Sequence, residues 1–402
     1  MRILFLSGWF PYPPINGFTL RAFNLLRALG RQHEVTLASR GNQADADAAA
    51  PVLAALCRAV EVVPADPFRR HRWTGRVSYL SRTPRWLLDT LSPDMERSIV
   101  RQLAAGRYDL IVASQTIMAA YAGCFGSTPA LFEEVELGVL ADQRPGATSA
   151  WQRCQHALTW AKYRLYLNRL LPRFRACTVV SETEQRLLAS AVPHAPASWV
   201  IPNGIDLADY DGVYGPPHAN QLIFTGSFRY PPNHDAMCWF VREVYPLIRV
   251  RVPDVQLTIT GDAAQRPLPA APNVVHTGHV EDVRPLVAGS CVSVAPIRIG
   301  GGTRVKILEA MALGTPVVAT SKGAEGLDVR HGVHLLIADT PRAFAEQVLQ
   351  LLADRELRVQ LSRNARSLIE ARYDWKLIGR QFNELVAALA ERRPGRLRPC
   401  DV

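Results

Sequence analysis

The run Gly300-Gly301-Gly302-Thr303-Arg304-Val305-Lys306-Ile307-Leu308-Glu309 has the residue types of a phosphate site with a hydroxyl-binding carboxylate beside it. Three glycines close an apolar segment, Cys291 to Pro296, and open a helical pattern that continues through Met311 before Gly314-Thr315-Pro316-Val317-Val318. Free backbone N–H groups at a helix start, with the positive end of the helix dipole, attract anions, and glycines let a ligand approach that backbone closely. Lys306 and Glu309 are three residues apart and share one helix face, so an ammonium and a carboxylate serve the same ligand. The ammonium suits a phosphate, and the carboxylate accepts two hydroxyl hydrogen bonds, as a ribose offers. A surface ion pair after a flexible turn has the same spacing, so the rest of the chain must decide between the two.

The elements that would position this block alternate. Arg2 to Ser7 reads as a buried strand, Pro13 to Gly17 as a loop and Thr19 to Leu29 as a helix; Val35 to Ser39, Val60 to Val63, Leu110 to Ala113, Ala130 to Phe132 and Cys177 to Val180 are further short apolar runs. Strands alternating with helices predict an α/β fold with a parallel sheet covered on both faces. Trp199 to Asp206 then leads into a polar, Pro/Gly-rich stretch through Pro217, where a domain boundary is expected. A second series follows: Leu222 to Thr225 ending in Gly226-Ser227, a helix from about Asn233, Val255 to Thr260 ending at Gly261, Val274-Val275 ending at Gly278, Cys291 to Ala295 ending at Gly300, then Val317 to Ala319. Ligands of open α/β sheets bind outside the carboxyl ends of the strands, so this row of glycines marks a ligand face. Helices run from Pro341 to about Glu391, and Arg392 to Val402 reads as a loose basic tail. The expected domains are 1–205, 206–373 and a closing helix with its tail, 374–402.

The chain has 402 residues, enough for two to three domains at roughly 150 residues each. No run approaches the roughly 18 apolar residues of a membrane span, and Ile3 to Leu6 is too short for a secretory core, so a cytoplasmic location is expected. Seven cysteines without CxxC spacing argue against a disulfide framework or zinc site. The net charge of +10 predicts an acidic partner: nucleic acid, anionic lipid or phosphorylated small molecules. Six arginines and no acid lie from Pro67 to Leu88, among Phe68, Trp73, Tyr79 and Trp86, and seven Lys/Arg and no acid from Gln143 to Ser181.

Several stretches resemble one family, and together they span nearly the whole chain. They are the Gly17 loop, Ile201-Pro202-Asn203-Gly204-Ile205-Asp206, Phe224-Thr225-Gly226-Ser227 with Pro232-Asn233-His234-Asp235-Ala236, Thr277-Gly278-His279-Val280, the block from Gly300 to Val318, and Tyr373-Asp374-Trp375. These resemble the retaining nucleotide-sugar glycosyltransferases of the two-Rossmann-domain (GT-B) type, group 1, family 4-like. The resemblance implies two Rossmann-like doubly wound domains facing across a cleft, the first for the acceptor and the second for the donor, with the C-terminal helix crossing back to the first. It implies that Glu309 holds the donor ribose and that Gly300, Gly301, Gly302 and Thr303 cradle the donor sugar and distal phosphate. Gly226, Ser227, Arg229, Arg304 and Lys306 surround the diphosphate, and the split of its charge among the last three stays open. His279 and Val280 meet the nucleobase, unless theirs is an ordinary strand-to-helix loop. Asn16 and Gly17 form the loop that closes on the transferred group, or a plain turn. Glu133, Glu134 and Glu136 follow a strand and are acceptor candidates, or a solvated acidic loop.

Two departures stand out. Relatives often carry a second glutamate eight positions before the ribose residue, and that position is Gly301 here, so backbone N–H groups must replace a carboxylate; some relatives also place a histidine after the strand that is Leu110 to Ala113 in this chain. The pair Asp45-Ala46-Asp47 has DxD form but lies in an Ala-rich segment away from any glycine-rich strand end, and no metal role is expected of it.

The expected reaction moves a sugar from a nucleoside diphosphate sugar to an acceptor hydroxyl with retention and without metal or resident cofactor. Backbone N–H groups, the helix dipole and Lys306 or Arg229 would stabilise the departing diphosphate, and domain closure would exclude water. The acid-free stretches 67–88 and 151–175 are expected at the inner face of an anionic membrane, with 151–175 as an interfacial amphipathic helix or else a packed helix with a basic side, and the acceptor as a saccharide or lipid-linked saccharide. No helix-turn-helix, zinc or RNA-binding signature supports nucleic acid. Ser7-Gly8-Trp9 replaces a dinucleotide fingerprint, which argues against an oxidoreductase. An inactive, scaffold-like relative is the remaining alternative.

Overall fold

A computed structural model describes residues 1–64, 81, 83–142, 149–262, 266–301 and 304–391. The chain divides into two compact units, Met1–Asn203 with the chain from Ile378 onward, and Gly204–Leu377. Helices of eight residues or more are numbered below in chain order among the described residues.

The first unit is built on a seven-stranded parallel sheet of order β3-β2-β1-β4-β5-β6-β7, from β1 (Arg2–Ser7), β2 (Glu34–Gly41), β3 (Ala59–Pro64), β4 (Leu110–Ser114), β5 (Ala130–Glu133), β6 (Ala176–Val179) and β7 (Ser198–Val200). Its strands are near-continuous apolar runs because helices cover both faces. Five helices of this unit carry numbers: α1 (Gly17–Gly30), α2 (Gln43–Ala54), α3 (Pro93–Ala105), α4 (Ala150–Leu170) and α5 (Glu182–Ala191). Tyr163, Leu167 and Leu170 of α4 pack with Phe132, Met118 and Phe174 in the core.

The second unit carries a six-stranded parallel sheet of order β10-β9-β8-β11-β12-β13: β8 (His218–Thr225), β9 (Gln256–Thr260), β10 (Val274–Gly278), β11 (Ser290–Ala295), β12 (Val317–Ala319) and β13 (Leu336–Ile337). The last strand escaped the sequence reading because two residues leave no periodicity to count. Helices α6 (Pro231–Trp239), α7 (Val305–Ala312), α8 (Pro341–Ala353) and α9 (Arg355–Arg372) cover it. Alternate residues of β8 feed opposite cores: Leu222 and Phe224 join Phe240 and Phe344, whereas Ile223 joins Ile307, Leu308 and Met311. In both sheets the order reverses beside the first strand, between β1 and β4 and between β8 and β11, and such a switch point opens a crevice at the carboxyl ends of the strands.

A last helix, α10 (Trp375–Glu391), starts in the second unit and from Ile378 belongs to the first, where Asn383 donates to the Ala28 carbonyl of α1 at 2.9 Å. Within the second unit its two ends pair: the Ile205 N–H donates to the Tyr373 carbonyl and the Trp375 N–H to the Ile205 carbonyl, each at 2.9 Å.

Candidate active site

The switch point of the second sheet gathers Gly226, Ser227, Gly300, Gly301, Arg304 and Lys306. Strand β8 delivers Gly226 and Ser227, β11 delivers the glycine loop, and α7 follows that loop. Lys306 reaches from the first turn of α7 to the β8 side. Its ammonium donates to Asn233 Oδ1 at 2.9 Å and lies 3.9 Å from the centre of the Phe224 ring. Gly226 is required there, because a Cβ built on it would sit 2.7 Å from Lys306 Nζ and 2.8 Å from Asn233 Nδ2. The residue as a whole is half-buried. Desolvation, and then the Arg304 cation, draw its pKa down to about 7, against the pull of Glu309.

Glu309, one turn further along α7, accepts a hydrogen bond from the Tyr210 hydroxyl at 3.0 Å. Burial raises its carboxyl above the ordinary range, while Tyr210 and Lys306 oppose the shift. Sequence reasoning missed Tyr210, which stands 99 residues away with no motif to mark it.

The glycine loop is held by its carbonyls. Arg304 donates to the Gly301 carbonyl at 2.9 Å and the Gly300 carbonyl at 2.6 Å, and Tyr230 donates to Gly301 at 3.1 Å. Gly300 has φ +86, and a Cβ there would meet the Tyr230 hydroxyl and Pro232 Cγ at 2.7 Å each, so only glycine fits. Just upstream, Arg298 forks onto Asp235 at 2.7 and 3.1 Å and covers the Trp239 ring. The start of α6 therefore braces the loop through Tyr230 and Asp235 and the lysine through Asn233. Gly302 and Thr303 lie outside the described residues.

The open question among three cations narrows here. Arg304 is buried, and its two terminal nitrogens donate to backbone carbonyls of the glycine loop, which it shapes. Arg229 is exposed and paired with Asp262 at 2.6 Å. Lys306 is the cation that touches the Gly226 turn. His279, exposed, and Val280, half-buried, follow Gly278 at the end of the edge strand β10.

The first unit has its own polar group at the strand ends. Glu133 closes β5 and is wholly buried; Arg21 of α1, 1% exposed, donates to its Oε1 at 2.6 Å, and Ser114 donates to its Oε2 at 2.8 Å. Glu133 is thus part of a buried ion pair, which corrects the expectation of a solvated acidic loop. Gln115 and Glu134, the residues after β4 and β5, both have left-handed backbones, φ +65 and +61, and Gln115 Nε2 donates to Glu134 Oε2 at 3.1 Å. Non-glycine residues held this way concentrate at functional sites. Burial, more than the nearby carboxylates, raises Glu134 to about 8, with Arg21 opposing; Glu136, half-buried, is raised to about 7 by desolvation and then by Glu184. Asn16 caps α1, accepting from the Phe18 and Thr19 N–H groups, and Gly17 is its first residue, with open space where a side chain would stand. Asp45 and Asp47 sit on α2, bonded to Asn42 and Gln43.

Most of the segment 67–88 lies outside the described residues. The other basic segment departs from a one-faced amphipathic helix. Opposite the core-facing Tyr163, Leu167 and Leu170 of α4, the spacing places Trp151, Cys154, Leu158, Ala161 and Leu165 on one exposed line, Trp151 being 66% and Leu165 54% exposed. Arg153 and Arg164 border this line on one side and Lys162 and Arg169 on the other. Among the described residues no helix is long and apolar enough to cross a membrane.

Residues 15–209 match the family model described as Glycosyltransferase Family 4, and residues 219–354 that described as Glycosyl transferases group 1. An uncharacterized 44.6 kDa protein in the cps region of Klebsiella pneumoniae is 28% identical over 172 residues, 40% of this chain and 44% of that protein. The phosphatidyl-myo-inositol mannosyltransferase of Mycobacterium tuberculosis is 29% identical over 209 residues, 47% of this chain and 54% of its own. The chain spans about half the length of the curated relatives it matches. Among solved structures, sucrose-phosphate synthase from Thermosynechococcus elongatus superposes with TM-score 0.69 at 19% identity, covering 97% of this chain and 99% of that one. HepE of Anabaena, solved with UDP and glucose, gives 0.63 at 18% identity over 96% of this chain and 100% of its own. These likenesses establish the fold, two Rossmann-like domains of the GT-B type.

Proposed function

This chain belongs to the family 4-like, group 1 glycosyl transferases, and on that premise we propose that it transfers a sugar from a nucleoside diphosphate sugar to an acceptor hydroxyl, with retention and without a metal. The observation that carries this reading is the meeting of Lys306 with the Gly226 turn one helical turn from Glu309. Lys306 and the N–H groups opening α7 take the charge of the departing diphosphate, and Glu309 takes the ribose hydroxyls once Tyr210 shares it. A neighbour solved with UDP and glucose supports a nucleotide-sugar donor.

A thermal-shift screen of UDP-, GDP- and ADP-sugars in EDTA tests the reading, since a ligand bound only by the folded state raises the melting temperature. One nucleotide class is expected to stabilise the protein, and Glu309→Ala to weaken its binding by about 1.5–3 kcal/mol in calorimetry, the worth of charge-assisted hydrogen bonds. An unchanged affinity removes Glu309 from the ribose role. Product NMR reads retention directly.

The acceptor in this proposal is a saccharide or lipid-linked saccharide, taken at the rim that holds Gln115 and Glu134. Relatives named for mannosyl transfer to phosphatidyl-myo-inositol support a lipid-borne acceptor. The protein then works as a peripheral protein at an anionic membrane, on the inner face, where the second apolar line of α4 enters the interface and its bordering cations each contribute about 1 kcal/mol. Flotation with phosphatidylglycerol-containing vesicles is expected to carry the wild type and to lose Trp151→Ser/Leu158→Ser/Leu165→Ser, whose changes lie on the exposed side. Equal flotation of both proteins, or no preference for anionic over neutral vesicles, rules the surface out.

A further inference from the structure

We infer that Asn233 is a positioning residue of the donor site: it holds the Lys306 ammonium beside the Gly226 turn with a neutral acceptor, so that an arriving diphosphate meets an aimed cation without an ion pair to break. The inference takes its ligand from the reading above.

Both ends of the Asn233 amide are fixed by chemistry. Its NH2 group donates to the Ser227 carbonyl at 2.8 Å, and its carbonyl accepts from Lys306 at 2.9 Å. The reverse orientation would set an NH2 against an ammonium and two carbonyls against each other. The backbone is anchored too, the Asn233 N–H donating to the Tyr230 carbonyl at 3.0 Å, and the residue is 7% exposed. A lysine side chain otherwise has many rotamers to lose on ligand binding, and aiming it beforehand lowers that cost.

The charged groups facing the ammonium are Arg304 at the cap of its own helix and Glu309 one turn on, itself shared with Tyr210; β8 and α6 offer the uncharged Phe224 ring and Asn233. A carboxylate at position 233 would supply the same geometry with a full opposing charge. That difference separates holding the lysine from filling space.

The test reads Lys306 by competitive acetylation and mass spectrometry across pH, without ligand, in the wild type, Asn233→Ala and the near-isosteric Asn233→Asp. Binding of inorganic pyrophosphate is then measured by calorimetry. Asn233→Asp is expected to move the lysine titration upward by roughly 1–3. The same variant is expected to bind pyrophosphate about tenfold more weakly despite a fully charged lysine, since a charge-assisted bond must be displaced. Identical lysine titration in all three proteins would overturn the inference, as would wild-type pyrophosphate affinity in Asn233→Asp. Failure of the wild type to bind pyrophosphate, with the titration shifted as expected, overturns the anion role of the site and leaves the hold of Asn233 on Lys306 standing.

Discussion

Lys306→Met is expected to lower the rate of sugar transfer by about 10²–10³, the usual loss when one preorganised group facing developing charge is removed. The side chain keeps its length and its place over Phe224, so the second unit stays folded and the loss falls on kcat. The pH dependence follows from a lysine pKa near 7 in the free protein. Below that pH the ammonium is ready for the diphosphate; above it, binding must first return a proton to the amine, and affinity falls as pH rises. Lys306→Met flattens that slope between pH 6 and 8 in calorimetric titrations, a range of roughly one unit either side of the lysine's value. A variant with near wild-type turnover would pass the leaving-group role to Arg229.

The second large effect is on stability. Arg21→Met is expected to destabilise the first unit by about 3–5 kcal/mol, because it leaves the buried Glu133 carboxylate without its cation. Among the described residues Ser114 would remain on that carboxylate, and the Arg21 bonds to the Pro202 carbonyl at 3.2 Å and Asn203 Oδ1 at 2.9 Å would be lost with it. Urea unfolding followed by hydrogen exchange on β5 peptides measures this, and Arg21→Met/Glu133→Leu is expected to recover much of the loss. Glu134 adds a pH dependence of its own. Its pKa is raised in the folded protein, so its contribution to stability is whole below the unfolded carboxyl range and is lost as pH climbs through about 8. A first unit equally stable at pH 7 and pH 9.5 would contradict that assignment.

Much of this was legible in the chain. Short apolar runs, several in the second half followed by glycine, give the parallel strands, and three-residue spacing puts Lys306 and Glu309 on one face. What local pattern cannot hold is the identity of distant partners: Asn233 stands 73 residues from Lys306, and Arg21 112 from Glu133. The different surroundings of Arg229, Arg304 and Lys306 were not legible either, because a buried guanidinium bonded to carbonyls reads the same in sequence as an exposed one. The helix α4 misled for a related reason. Two apolar lines on opposite sides cancel in any measure of one-sidedness, and only packing says which line is core.

The last helix has a consequence for how the protein is made. The second unit is continuous in the chain, from Gly204 to Leu377, but the first needs residues from Ile378 onward. Gly379 fits against α1 so closely that a Cβ on it would come within 2.8 Å of the Ala28 Cβ, and Arg175 donates to the Leu389 carbonyl at 2.7 Å. During synthesis from the N-terminus, residues 1–203 therefore wait for a helix translated only after the whole second unit. The later-made unit is able to close while its elder still lacks a helix.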